Sequence, residues 1–194
     1  MSKGVETRTV ILDESLQLAS RIGFEALTIG HLAEQTGMSK SGLFAHFKSK
    51  EQLQLQTLDH SRTLFVDTVL RPTLTAARGL TRVRALFDNW LAWEHVLQGG
   101  CIFVTGSAEY DDQPGPMRDA LVRNQRDWLE SIATVVRTAV TEGDFSEDTD
   151  PEQFAFEFNA LTLAYHHASR LLDDERAGDR ARVAFEALVD RHRA

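Results

Sequence analysis

The sequence predicts an all-α protein, and three observations predict it. Only four prolines occur in 194 residues, strand-type alternation is nearly absent, and apolar residues recur at the three-and-four spacing of amphipathic helices. A hydrophobic content of 42% beside 26% charged residues is that of a folded chain rather than a disordered one. The length fits one large domain, or a small domain fused to a medium one.

The elements follow in order. Residues about 6–22 read as an amphipathic helix, with Ile11, Ser15, Leu18 and Ile22 on one stripe and Leu12, Leu16 and Ala19 beside it. Gly23 is placed to end it in the left-handed region, with Phe24 folding back on the last turn. Thr28 reads as the N-cap of a short helix holding Ile29, Leu32 and Ala33, which Gly37 breaks. Ser39 caps a third helix, SKSGLFAHF, whose Leu43 and Phe47 lie one turn apart and face inward. Ser49 opens a fourth, with Gln52 at capping-box spacing, that runs to about Leu70 before Pro72.

Beyond it the helices lengthen. Residues about 80–98 carry Val83, Leu86, Phe87, Trp90, Leu91 and Leu97. After Gly99-Gly100, CIFVTG has strand-like composition, but its isolation favours a short buried helix. YDDQPGPM is a loop by its prolines and glycine. A helix over about 116–142 stops at Gly143. Asp150, Pro151 and Gln153 start another as cap, first-turn proline and capping box, reaching about Leu172. A last helix covers about 178–192. There is no repeat or low-complexity segment.

Charge and cysteine usage narrow the function. No run approaches the roughly 18 apolar residues of a membrane span. The N-terminus MSKGVETRTV lacks the apolar core of a secretory signal, and Cys101 is the single cysteine. A cytoplasmic protein with no membrane partner is expected. The net charge of −8 is uneven. Residues 1–50 hold six basic and five acidic side chains, and 36–50 hold Lys40, Lys48 and Lys50 with no acid. The acidity belongs to the rest of the chain, which leaves a locally basic surface able to meet nucleic acid.

Residues 28–47 have the spacing of a helix-turn-helix. Two helices crossing at roughly 90–120° need a small residue at the crossing, a turn residue such as glycine, and an apolar anchor on the second helix. Ala33, Gly37 and Leu43 supply these, and Ile29, Leu32 and Phe47 complete a miniature core. Lys40, Ser41, Gly42, Phe44, Ala45 and His46 are then left outward. Lysines and hydroxyls suit phosphate, and a glycine admits the backbone close to a duplex. The helix N-termini at Thr28, Ser39 and Ser49 offer N–H groups to phosphates, and Lys50 is placed to clamp the flanking backbone.

The run LTIGHLAEQTGMSKSGLFAHFKSKEQL, residues 27–53, resembles the TetR family of bacterial repressors. The matching positions are Thr28, Leu32-Ala33, Gly37-Met38-Ser39, Gly42, His46-Phe47, Lys48, Lys50, Glu51 and Leu53. The likeness spans some 50 N-terminal residues and is specific in order and spacing. It departs at Phe44, where many members carry a tyrosine whose hydroxyl meets a phosphate. The resemblance implies DNA contacts from Thr28, Ser39, Lys40, Ser41, Gly42, Phe44, His46 and Lys50. It also implies an N-terminal helix-turn-helix DNA-binding domain over residues 1–50, with the start of a linking helix at 49–70. Residues 51–194 become a larger C-terminal helical domain for ligand binding and dimerisation. The implied function is a repressor that binds a palindromic double-stranded operator as a homodimer and is released by a small-molecule effector.

The second half accommodates these roles. Ala160, Ala164 and Ala168 form a flat strip for close helix approach, and Ala184, Leu188 and Arg191 form a narrow stripe on the last helix. Two such helices from each subunit make an isologous four-helix contact; packing inside one subunit is the alternative. Trp90, Trp93, Phe103, Trp128, Phe158 and Tyr165 supply aromatic surface, with Asn159, His95 and His166 as polar groups to orient a ligand. An apolar or aromatic effector is expected, against the alternative that these side chains are simply core.

A helical enzyme is the principal rival. The seven histidines show no Glu-x-x-His, His-x-x-x-His or Cys-x-x-Cys spacing, and no phosphate-cradling glycine loop occurs, so no metal, no cofactor and no catalytic residue is assigned. Cys101 reads as a buried thiol sooner than as a nucleophile. The other rival is an interaction protein whose DNA-binding head has lost its function.

Overall fold

The computed structural model describes residues 3–194, with side chains from residue 7 onward. Among the described residues the regular elements are all helices, with one isolated bridge between Phe145 and Arg193. The helices are α1 (Lys3–Ile22), α2 (Ile29–Thr36), α3 (Lys40–Phe47), α4 (Lys50–Phe65), α5 (Arg71–Thr75), α6 (Leu80–Trp93), α7 (Ile102–Tyr110), α8 (Pro116–Thr141), α9 (Pro151–Arg170) and α10 (Ala177–His192). They belong to two compact units. One comprises the chain up to Phe65 together with Val96–Arg123; the other comprises Val66–His95 and Asn124–Ala194.

In the first unit, α1 turns Ile11, Ser15, Leu16, Leu18 and Ala19 inward against Leu53, Thr57 and Leu58 of α4. The buried hydroxyls of Ser15 and Thr57 satisfy each other at 2.6 Å. Leu32 and Ala33 of α2 meet Leu43 and Phe47 of α3 in a closed miniature core, completed by Phe24 and Leu27. Ile29 is only half-buried, and Ile22 is exposed rather than inward, at the wall of an open groove it shares with Leu18, Ala26 and His31, while Phe24 and Leu27 take the buried places after α1.

Local sequence explains the joints. Thr28 Oγ1 accepts from the N–H of His31 and Ser39 Oγ from that of Gly42, so each short helix begins on a side-chain cap. Gly37 takes φ +67° in the turn between them. Ser49 Oγ accepts from Gln52 N–H at the start of α4.

Gly23 is required twice over. Its φ is +82°, and a Cβ there would stand 1.7 Å from Oε1 of Glu109 on α7. The closeness has a purpose, since Glu109 Oε2 accepts from the N–H groups of Phe24 at 2.8 Å and Glu25 at 3.4 Å. The segment after α6 is fastened to α1 as well: Gly99 N–H donates to Ser20 Oγ, and Gln98 N–H donates to Gln17 Oε1. The helix-turn-helix therefore rests on α1, α4 and α7 together.

In the second unit the chain enters through a π-helical turn at Val66–Leu70. A single helix to Leu70 is thus not what forms. Pro72 lacks the N–H that an α-helix would donate to residue 68, and the wider turn lies just before it. The chain then continues helically to Thr75. The next helix ends at Trp93 rather than near residue 98, in turns over residues 94–99. Asp150 Oδ1 caps α9 by accepting from Glu152 and Gln153, with Pro151 at the first position. The reciprocal half of a capping box is replaced: Gln153 Nε2 donates to Glu157 Oε1. The two final helices pack on each other, burying Phe154, Phe158, Phe185, Leu188 and Val189.

Candidate functional site

The outer face of α3 is built by its inner one. Burial of Leu43 and Phe47 fixes the helix rotation, so Lys40, Ser41, Phe44 and Ala45 face solvent. Phe44 is 56% exposed although it is a large apolar ring. Gly42 and His46 are half-buried at the edges of this face. Only Ser39 Oγ lies near the position a Cβ would take at Gly42, at 3.1 Å, and that hydroxyl is the cap on the Gly42 N–H. Ser39 and Ser41 place their hydroxyls 3.3 Å apart at the N-terminus of α3. Thr28 stands half-buried at the N-terminus of α2, where Lys40 Nζ lies near Gly30.

Lys50 is placed at the start of α4, but its ammonium is engaged. It donates to Glu25 Oε1 at 2.8 Å, and Glu25 also accepts from the Tyr110 hydroxyl at 3.1 Å. The hydrogen bond from Lys50, and next that from Tyr110, hold the Glu25 carboxyl below its ordinary range. Burial, reinforced by the Glu25 hydrogen bond, pushes the Tyr110 hydroxyl up, so it remains a donor. A groove of about 310 Å³ opens beside this trio, walled by Gln54 and by Gln113–Arg118. Glu25, Glu109 and Tyr110 were not expected as part of the site. No local spacing joins residues so far apart in sequence.

The aromatic residues proposed from sequence for ligand binding are placed as follows. Trp90, Trp93, Phe158, Tyr165 and His166 are buried in the second unit, while Trp128 and Asn159 are half-buried there. Trp128 meets Phe158 edge-on at 5.8 Å, Phe158 meets Phe87 at 5.8 Å, and Phe87 lies 6.0 Å from Trp90. Trp90 meets Tyr165 edge-on at 5.5 Å. These rings form one continuous run, with Phe185 stacked on Phe87 at 4.1 Å. Phe103 belongs to the first unit, where its ring meets Phe65 edge-on at 5.6 Å.

Beside this run lies a charge that composition did not single out. Glu94, 4% exposed, receives His166 Nδ1 on Oε2 at 3.1 Å. Burial, and next the charge of Glu94, push the Tyr165 hydroxyl up, so it too keeps its proton. The signal was present in the spacing: Glu94 falls one turn after Trp90 on the apolar stripe of α6.

The strip on α9 is open at Ala160 and Ala164 and half-buried at Ala168. On α10, Leu188 does not face outward; it is 2% exposed because α9 takes it, with Phe185 and Val189, into the core. The apolar residue on the outer side is Val183, 72% exposed, and α9 adds Phe156 and Leu163.

Two family models match the chain: "Bacterial regulatory proteins, tetR family" over residues 11–57 and "Tetracyclin repressor-like, C-terminal domain" over residues 79–185. The uncharacterised HTH-type transcriptional regulator YerO of Bacillus subtilis (strain 168) is 38% identical over 55 residues, a stretch covering 28% of this chain and 19% of that relative. A TetR transcriptional regulator from Chloroflexus aurantiacus J-10-FL has the same fold, with a TM-score of 0.86 at 24% identity over 98% of this chain and 96% of that one. AibR, solved with isovaleryl coenzyme A and operator DNA, matches with a TM-score of 0.69 at 23% identity over 91% and 96%.

Proposed function

From the premise that this chain belongs to the tetR family of bacterial regulatory proteins and is a transcriptional regulator, we propose that it is a repressor. In this reading it binds a palindromic operator as a homodimer and leaves it when a small molecule enters the aromatic core of the second unit.

The outer face of α3 carries the DNA-binding reading. A short helix whose Leu43 and Phe47 are committed inward still presents Phe44, two adjacent hydroxyls and Lys40 to solvent, beside a glycine that only the Ser39 hydroxyl approaches. Such a face suits a major groove, with Thr28, Ser39, Lys40 and Ser41 on phosphates, Gly42 and Phe44 at closest approach, and His46 and Lys50 at the rims. Lys50 would exchange Glu25 for a phosphate. AibR supports the pairing of operator and small ligand in one such fold.

The dimer reading rests on Phe156, Ala160, Leu163 and Ala164 of α9 and Val183 of α10, apolar side chains left outward along a helix pair. A two-fold axis across this pair gives an isologous four-helix seam. A palindromic operator read in successive major grooves asks for two recognition helices about 34–36 Å apart, which a two-fold dimer supplies.

Fluorescence anisotropy of the full chain with DNA from its own upstream region tests the reading. Binding should weaken steeply with salt through counterion release, and sedimentation should give a dimer. A monomer without salt-dependent DNA affinity would overturn it.

A further inference from the structure

We propose that the effector is a cation, with Glu94 as its counter-charge and the rings of Trp90 and Tyr165 beside it; this rests on the effector-released regulator described above. The geometry asks for such a ligand. Glu94 is almost wholly buried, and among the described residues no protein group donates to its Oε1, whereas Oε2 receives His166 Nδ1. A buried carboxylate oxygen left without a donor is costly, more so than a neutral acceptor.

The position of Glu94 adds to that cost. It caps the C-terminal end of α6, with helical φ and ψ, where the helix dipole is negative and repels an anion. The helix dipole gives no reason for a glutamate there, and His166 satisfies only one of its two oxygens. A positive charge from outside removes both penalties at once. The surroundings fit one: Trp90 precedes Glu94 by one helical turn, Tyr165 meets Trp90 edge-on, and the Tyr165 hydroxyl lies 3.4 Å from His95 Nε2. Ring faces attract an organic cation most strongly where water is excluded. Among the described residues, no lysine or arginine donates to Glu94. The expected class is therefore an amine or quaternary ammonium carrying apolar substituents, not a neutral hydrocarbon or an acid.

The experiment compares benzyltrimethylammonium, benzyl alcohol and benzoate, each titrated to 10 mM in the order of magnitude at which weak ligands saturate. The full-length dimer is followed by tryptophan fluorescence and thermal shift, and separately on upstream DNA by anisotropy. The cation should bind saturably, raise the melting temperature and release DNA, and the other two should not. Glu94→Gln should weaken cation binding by about 30-fold or more while keeping DNA affinity. Trp90→Leu, which leaves the carboxylate in place, should weaken it by a smaller factor. If Glu94→Gln melts early, His166→Gln serves instead, because it keeps the anion and should keep cation binding. Equal cation affinity in the wild type and Glu94→Gln, stronger response to benzoate or benzyl alcohol, or no cation binding each overturns the assignment. Should the cation bind through Glu94 while the protein shows no DNA affinity, the regulator reading fails and the site stands.

Discussion

Replacing Gly23 and Glu109, singly and together, measures how firmly α7 holds the helix-turn-helix. Glu109 accepts from Phe24 N–H at 2.8 Å in a part-buried setting. A hydrogen bond to a charged group contributes about 1.5–3 kcal/mol, and Glu109→Ala should cost about that. Gly23→Ala carries a backbone cost of about 1–2 kcal/mol for an L-residue in the left-handed region. Its new Cβ would also stand 1.7 Å from Glu109 Oε1. The carboxylate can clear that methyl only by leaving Phe24 N–H, so the single substitution should cost about 2.5–5 kcal/mol.

In the double variant no carboxylate remains to be displaced, and Gly23→Ala adds only its backbone cost. The two changes together should then cost no more than Gly23→Ala alone, a non-additivity of about 1.5–3 kcal/mol equal to the Glu109 bond itself. Thermal unfolding followed by far-ultraviolet circular dichroism reads this. A chain of this length loses about 2–4 °C per kcal/mol, so Glu109→Ala should melt about 3–12 °C low. Strictly additive losses, or a Glu109→Ala variant as stable as the wild type, would refute the claim that this carboxylate carries the loop.

Three further outcomes follow from the same geometry. Lys50→Ala should flatten the salt dependence of operator binding by about one unit, and Glu25→Gln, which frees the ammonium, should tighten binding; if neither changes the salt titration, Lys50 makes no phosphate contact. Gly42→Leu should abolish DNA binding while leaving the melting temperature level or slightly raised, because a helix favours leucine over glycine by up to about 1 kcal/mol and only Ser39 Oγ lies near the new Cβ; an unfolded variant would make Gly42 a packing residue. Val183→Glu should split the dimer in sedimentation without unfolding the subunit, and a dimer that survives it would move the seam off this face of α10.

What was legible in the sequence was local. Thr28, Ser39, Ser49 and Asp150 each cap a helix as their spacing implies, because a cap depends only on the next three residues. The inward set Leu32, Ala33, Leu43 and Phe47 follows from periodicity in the same way. Periodicity fails where two faces compete. Leu188 and Val183 both sit on apolar-looking positions of α10, and only the packing of α9 decides that Leu188 goes inside. The expected stop before Pro72 does not occur, because a π turn over Val66–Leu70 precedes the proline and the chain continues helically through it. Pairings across long stretches had no sequence signature at all: Lys50 with Glu25, Glu109 with Phe24, and Glu94 with His166 are each set by tertiary approach.

The chain's own connectivity places Glu94 close to a point where the backbone leaves one compact unit for the other. The backbone passes between the two compact units three times: at Phe65–Val66, at His95–Val96 and at Arg123–Asn124. The first crossing enters a π turn, and the third lies within the unbroken helix α8. The second is neither, and Glu94 lies one residue before His95, where it begins. Directly after that crossing, Gln98 and Gly99 donate to Gln17 and Ser20 of α1, the helix on which the recognition element is built. A Cβ at Gly99 would fall 1.7 Å from the Ser20 carbonyl, so this contact has little room to give. A ligand that repositioned Glu94 would act on the backbone a few residues from these hydrogen bonds to α1. That is the kind of differential contact an effector needs, since it shifts an equilibrium only by as much as it prefers one of two states.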